Sequence, residues 1–521
     1  MWPVVPTRIA VRTALLLFFW SGAAAAQDLR DEVAQLKKQV AAQQTQIDRL
    51  LRMVDAQSKL LAAALPAPAA TVPVEPTPKP VLEAVKDSPS TSNSRFSIAP
   101  TGFIDFAPVW RSKTVTSGLP TNFAAIPFRD TVDGQRRQVL SSAANTRLGM
   151  QVNAAVSGVR LLGVVETDFL GYQPGNVTTT TNSYGLRLRL AFVDLQAAKW
   201  ELLAGQSWSL ITPGRRGIPA LGGGLILTQD LDPNIQSGLV WARTPQARVV
   251  YHPTEKVALA LSVESGGTYA GGSAGAGTIT LPRALAPDYF HQVDLGSGAL
   301  GVPSAHSDWI GKAAFDTRLR GHHLHLEFAG LLNQVAFYNP LTQQKFHTVG
   351  GGGSVNAGFE IRKNLTLFTT NFYSDGGGRL IYGEAPALVI QANGAPSLVH
   401  SMSTMDGVEF QARPKLKFWA YYGGTYIDKN VVIDPSNGAF AGYGYPGSPD
   451  SQNRSIQEVT GGFTRVFWQE PKYGTLQFSG QFSWLVRHPW SVAPGRPASA
   501  NLNMVYMGLR YILPAAPSAE R

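Results

Sequence analysis

The sequence predicts an all-β protein: a 16-stranded antiparallel transmembrane β-barrel preceded by an N-terminal α-helical coiled coil. Three observations predict the barrel. From Gly102 to Leu513 apolar and polar residues alternate with period two, as in a sheet with one polar and one apolar face. The alternating segments are longer than the ~5–6 residues usual in soluble sheets, as a tilted membrane span requires. The connections between them run long, short, long, short, the pattern of long loops at one end of a membrane barrel and tight turns at the other.

The N-terminal segment comes first in the chain. Residues 1–26 read as a secretory signal peptide, with Arg8 and Arg12 before the apolar run Ala14–Trp20 and the small residues Ala24-Ala25-Ala26 at the expected cleavage site. Residues 27–64 carry a 4,3 repeat. Val33, Val40, Ile47, Val54 and Leu61 fall at a, and Leu29, Leu36, Gln43, Leu50 and Gln57 at d. Such a seam has no core of its own, so the helix is expected to pair with copies of itself. The heptads leave the number of strands open, because β-branched a residues favour two while Gln at two d positions weakens that preference. Residues 65–100 hold Pro66, Pro68, Pro73, Pro76, Pro78, Pro80 and Pro89 and form a Pro-rich, semi-extended linker.

The barrel is expected over 101–514, with residues 515–521 as a C-terminal tail. Strands are expected near 101–111, 145–157, 159–170, 185–196, 200–209, 237–252, 256–264 and 308–319. The others fall near 323–336, 353–362, 365–374, 405–412, 415–427, 456–468, 474–487 and 501–513. In the clearest of them, Arg147, Gly149, Gln151 and Asn153 oppose Leu148, Met150, Val152 and Ala154. Likewise Arg187 and Arg189 oppose Leu186, Leu188, Leu190 and Phe192. Trp110, Trp200, Trp208, Trp309, Trp468 and Tyr511 stand near strand ends, as interfacial girdles do. Thr244-Pro245-Gln246 interrupts 239–252, and Pro245 is read as a kink or bulge within one strand. An even strand number places both barrel ends on the side of the coiled coil.

A barrel of ~16 strands encloses an aqueous channel, so its inward polar face carries the function. Arg147, Arg187, Arg189, Lys312 and Arg318 fall on polar faces, and Arg215 and Arg216 lie in the long segment after the fifth strand. Together they are the candidate lining of an anion-selective path, since rings of Arg or Lys favour anions in a pore. Glu166, Asp168, Glu327 and Glu409 supply carboxylates, so pairing of these arginines is the competing reading.

The sequence points away from other chemistries. It contains no Cys, which excludes disulfides, thiolate zinc sites and thiol nucleophiles. No G-x-S-x-G, H-E-x-x-H or P-loop occurs, and Gly222–Gly224, Gly350–Gly353 and Gly376–Gly378 read as loop glycines. His323, His325 and Glu327 share a face, as the polar residues of any lumen strand do. The formal net charge of +10 comes without the basic and aromatic clusters of nucleic-acid binders. No catalytic residue, metal or cofactor is therefore assigned.

The architecture resembles the DcaP-like family of trimeric outer-membrane porins. The resemblance rests on Leu29–Leu61, the Pro-rich spacer, Gly102-Phe-Ile-Asp-Phe106 opening the barrel and Asn501-Leu-Asn-Met-Val-Tyr-Met-Gly-Leu-Arg-Tyr-Ile-Leu-Pro514 closing it. It implies a homotrimer in the cell outer membrane, with its coiled coil in the periplasm, passing small anionic solutes of dicarboxylate type. The alternative is a structural outer-membrane barrel tethered to periplasmic partners through the coiled coil.

Overall fold

A computed structural model of the chain describes residues 96–115, 119–171, 185–222, 225–227, 235–272, 276–296 and 304–514. The signal peptide, the coiled coil and most of the linker lie outside the described residues, as does the tail 515–521.

The first strands of the sheet are β1 (Phe96–Arg111), β2 (Gln138–Ser142), β3 (Arg147–Val156), β4 (Val159–Gly171), β5 (Gly185–Ala197), β6 (Trp200–Trp208) and β7 (Arg243–Thr254). They are followed by β8 (Val257–Ser265), β9 (Ser307–Leu319), β10 (His322–Asn339), β11 (Gln344–Arg362) and β12 (Leu365–Asp375). Two short strands, β13 (Leu388–Ile390) and β14 (Pro396–Leu398), form a hairpin before β15 (His400–Arg413) and β16 (Leu416–Ile427). A second small hairpin, β17 (Asn430–Ile433) with β18 (Phe440–Tyr443), precedes β19 (Asn453–Glu470), β20 (Gly474–Pro489) and β21 (Ala500–Ile512).

The main sheet is antiparallel and closed. β1 pairs with β21 from Phe103 opposite Ile512 to Arg111 opposite Met504, and with β3 and β2 along its other edge. β2 and β3 are one barrel position delivered in two pieces, so the barrel has 16 staves. Closure leaves no unpaired edge, which an apolar surrounding would not tolerate. Each strand position expected from the sequence is occupied. β1 starts at Phe96, within the segment read as linker, because Phe96 to Phe103 already ladder with β3.

Seven two- or three-residue turns close one end. In two of them, Ser157-Gly158 and Arg320-Gly321, both residues have positive φ, the hairpin geometry whose twist matches the strands. Long segments at the other end fold back into the barrel. Arg111, fully buried, donates to Gln138, Thr121 and the Tyr506 hydroxyl, tying residues 119–128 to the inner wall, where Phe123, Ile126 and Phe128 are buried.

The faces are inverted relative to a soluble protein. Leu148, Met150, Leu186, Leu202, Leu261 and Val355 are exposed on the outside, whereas Arg189, Asp194, Glu327, Thr460 and Ser483 are buried within. An exposed apolar belt around a polar interior fits a lipid solvent.

Several local expectations change. β7 begins at Arg243, and Pro245 ladders with Gln206 without a break. Its pairing with β8 starts only at Gln246, so the missing N–H falls beyond that ladder and no kink is needed; Leu239, Val240 and Trp241 are instead buried in the re-entrant segment. Leu190 and Phe192 point inward, because the β4–β5 register shifts between Glu166 and Thr167. That bulge makes Arg189 an extra residue and flips the alternation beyond it. Trp208 is buried, stacked on Trp241 at 4.6 Å, because it is the last residue before the chain turns inward. Gly350–Gly353 lie within β11, where a Cβ on Gly350 would meet Asp375 O at 2.4 Å and one on Gly352 would meet Tyr373 O at 2.6 Å.

Candidate functional site: a segment crossing the barrel

The chain between β6 and β7 crosses the interior and is tied to wall after wall. Leaving β6, it meets β9 and β10. Lys312 Nζ donates to Thr212 O and lies 2.9 Å from Glu327 Oε1. Gly214 N–H donates to Glu327 Oε2 at 3.0 Å, and Gly217 N–H to Asp316 Oδ2 at 2.7 Å. Asp316 Oδ1 in turn holds His323 Nε2 at 3.0 Å and His325 Nδ1 at 2.9 Å, while His325 Nε2 lies 3.2 Å from Glu327. Asp316, His325, Glu327 and Lys312 thus make one network whose outer lone pairs and protons receive the loop backbone.

Farther along, Arg215 reaches β15 and β12. Its guanidinium lies 2.7 Å from Glu409 and 3.8 Å from the centre of the Phe368 ring. Leu227 N–H donates to the Tyr421 hydroxyl, which donates to Glu409. At the far wall, Ser237 N–H donates to Glu458 at 2.8 Å and Gly238 N–H to Glu384 at 3.1 Å. Glu384 belongs to the segment after β12 and also accepts from Ser237 Oγ and Thr425 Oγ1. Burial pushes its carboxyl up to about 7, against the pull of these hydrogen bonds.

A chain held at both ends and in the middle divides the interior. Between it and the wall of β10, β11, β12 and β15 lies a cavity of about 350 Å³, lined by Arg215, Arg216, His323, His325, Glu360 and Glu409. A second space of about 250 Å³ on the Trp208 side includes Arg216, Arg248 and Lys312. Arg215 and Arg216 border both.

This barrel, closed β1 to β21 and crossed by the segment after its fifth stave, superposes on the outer membrane channel DcaP of Acinetobacter baumannii with a TM-score of 0.56 and 16% identity, covering 80% of this chain and 97% of that one. Its fold is that of the DcaP channel. The resemblance drawn from the terminal segments therefore stands at the level of the fold. An anion-selective porin from Comamonas acidovorans aligns at a TM-score of 0.44 and 11% identity, over 80% of this chain and all of that one. OprB of Pseudomonas putida aligns at 0.43 and 10%, over 80% and 94%. No protein-family model and no curated protein matches the chain.

Within this DcaP-like fold the seven candidate cations separate into groups. Arg147, Arg187 and Arg189 come together on β3 and β5 around two carboxylates of β4. Arg187 grips Asp168 at 2.6 Å, Arg189 bridges Glu166 and Asp168 at 2.8 Å each, and Arg147 lies 4.0 Å from Glu166. Arg147 also stands over Phe103, as does Arg510, itself paired with Asp105. Lys312 is buried against Glu327, and Arg215 is paired with Glu409. Arg216, exposed and bordering both cavities, has no ion pair among the described residues, and neither does Arg318 near the short-turn end.

Arg248 and Glu360 also border these spaces and were not among the candidates. Arg248 lies 3.5 Å from Glu201. The alternation Gln246-Ala247-Arg248 carries the signal for its inward position. Glu360 holds the His323 backbone N–H at 3.1 Å and has no cationic partner among the described residues.

Proposed function

We propose that this chain is an outer-membrane porin, a passive diffusion channel for small anionic solutes, and belongs with the DcaP-like porins. The observation that carries the reading is Arg216. The crossing segment presents its guanidinium, without an ion pair among the described residues, to the cavities on both sides of it. Among the described residues that line these cavities, Arg216 and Glu360 lack an oppositely charged partner, so the anion preference rests on the place of Arg216, on the crossing segment between the two cavities, and not on a net excess of cations. One unit charge at 4 Å contributes about 1 kcal/mol in water and about 4 kcal/mol at an effective dielectric of 20. A single unpaired arginine in a narrow wet passage therefore suffices for a preference of about tenfold. The dicarboxylate class is what the resemblance to the DcaP-like porins implies. Diffusion needs no cofactor and no catalytic group.

The same reading makes the protein a homotrimer, its coiled coil and linker on the periplasmic side below barrels embedded in lipid. Reversal potential across a planar bilayer in a potassium chloride gradient tests the channel. Chloride preference that falls on Arg216→Ala supports it, and cation preference of the native protein overturns the anion assignment. A second reading, a structural barrel tethered to periplasmic partners, draws on the burial of Phe123, Ile126 and Phe128 in one cluster and of Leu285, Tyr289, Leu388 and Ile390 in another. Folded, inserted protein without conductance would favour it.

A further inference from the structure

The rim at the short-turn end is not uniform in charge. The staves from β9 to β20 are consecutive neighbours and make up half of the barrel. Their four short turns, with the strand residues next to them, carry Arg320, Arg362, Lys363, Arg413, Lys415 and Lys472 against a single carboxylate, Glu470. Each of these cations is exposed, and none has an ion pair among the described residues. The three turns of the β3 to β8 half carry Lys199 and Lys256 against Glu255. Internal pairing therefore does not account for the basic arc, and like charges along one edge repel one another.

These cations stand beside apolar groups that face outward. Leu319 precedes Arg320 and Ile361 precedes Arg362, both exposed on the outer face. On β16, β19 and β20 the rings of Phe418, Phe463 and Phe478 form a row across the outside, with centroids 6.4 and 6.0 Å apart. Arg465 lies two residues beyond Phe463 on the same face, opposite Leu416. It too is exposed and has no ion pair among the described residues. Trp468 packs against Tyr511 at 6.0 Å, and Phe467 and Tyr473 are exposed, with Lys472 Nζ 5.7 Å from the centre of the Tyr473 ring. Aromatic rings at this level mark the boundary between hydrocarbon and headgroups. Long basic side chains there lay their stems on apolar surface and keep their charges among the headgroups.

We infer that the short-turn rim from β9 to β20 is a binding surface for anionic phospholipid, whose phosphodiester headgroups sit on Arg413, Lys415, Arg465 and Lys472. The occupant is lipid because the cations follow the edge of the apolar belt in an arc and alternate with exposed apolar groups. A ligand for such an edge must offer negative charge and hydrocarbon side by side, and an acidic polypeptide offers only the first. A guanidinium pairs with phosphate oxygens through two N–H donors, and each basic residue near an anionic surface contributes about fivefold to binding. The inference goes beyond the proposed channel, since it requires the barrel to lie in lipid whatever passes through it.

The full-length protein is inserted into phosphatidylcholine vesicles, with insertion checked by the heat-modifiable gel shift of a folded barrel. Electron spin resonance then measures the association of spin-labelled phosphatidylglycerol relative to spin-labelled phosphatidylcholine. The expected result is a preference for phosphatidylglycerol of about fivefold at low salt, which falls in about 1 M potassium chloride. The combined variant Arg413→Gln, Lys415→Gln, Arg465→Gln and Lys472→Gln is expected to lose the preference with its barrel intact, whereas Lys199→Gln with Lys256→Gln keeps it. Native protein without a preference overturns the inference, as does a preference that survives the combined variant or is lost equally in both variants. A preference abolished by inorganic phosphate at constant ionic strength makes free phosphate the ligand and overturns the lipid assignment. Displacement of the labelled lipid by polyglutamate under the same conditions overturns it in favour of an acidic polypeptide. Protein that folds without inserting overturns the membrane reading itself, and the lipid rim with it.

Discussion

The arginines of β3 and β5 and those of the crossing segment are the same residue type inside the same barrel, yet their surroundings give them different work. Around Glu166 and Asp168, three guanidiniums meet two carboxylates at 2.6 to 4.0 Å, and Arg189 is wholly buried. There the charge is consumed in holding β3, β4 and β5 together at a bulge. On the crossing segment, Arg215 is used as an anchor to Glu409, and that anchoring leaves its neighbour Arg216 facing open space. The lesson is that pairing, not the presence of an arginine on a lumen-facing position, decides whether it can act on a passing ion.

Arg189→Ala should break the comparison on the structural side with the largest effect. Removing one partner of a buried ionic cluster costs about 3–5 kcal/mol, read as a lower temperature for the shift from folded to unfolded barrel in gel mobility. A wild-type transition temperature would refute the structural role. Next is Glu384, which anchors the far end of the same segment. Its carboxyl is held up to about 7 in the folded chain. Stability that is full below the ordinary carboxylate range is therefore lost as pH rises through about 7, at up to about 1.4 kcal/mol per pH unit. Glu384→Gln should flatten that dependence in unfolding experiments between pH 5 and 8 (a range of about 3 units); a variant as pH-sensitive as the native protein would exclude Glu384 as the cause.

On the functional side, Arg216→Glu should move the reversal potential toward cations, and Arg216→Ala about half as far, with barrel stability within about 0.5 kcal/mol of native. Selectivity that ignores both changes would remove Arg216 from the path. The smallest effect is expected from Arg318→Ala near the short-turn end, where the side chain is exposed and salt screens its charge; a shift as large as that of Arg216 would move the selective part of the path to that end.

Most of the barrel was legible because lipid on one side and water on the other force strict alternation, as in Arg147 to Ala154 and Thr475 to Trp484. The failures fall where alternation is interrupted. The bulge at Arg189 inverted Leu190 and Phe192, and the inward turn after β6 took Trp208 from the interface to the interior. The site was legible only as composition. That Arg215 and Arg216 border the interior cavities depends on where Thr212, Gly214 and Gly217 find partners on β9 and β10, contacts that span about a hundred residues and leave no local periodicity. Arg248 could have been read from its alternation, whereas the pairing that separates Arg189 from Arg216 could not.

The closure of β1 on β21 has a consequence for the order of assembly. The Asp105–Arg510 pair that crosses this seam joins positions 405 residues apart. Until the last strand is synthesised, the growing chain presents two raw sheet edges and cannot enter hydrocarbon without exposing them. Insertion must therefore follow completion of the chain and finish as a zipper between first and last strands. A chain shortened by its final strand would lose the barrel altogether and not just narrow it, and would survive only by remaining bound to something that shields those edges.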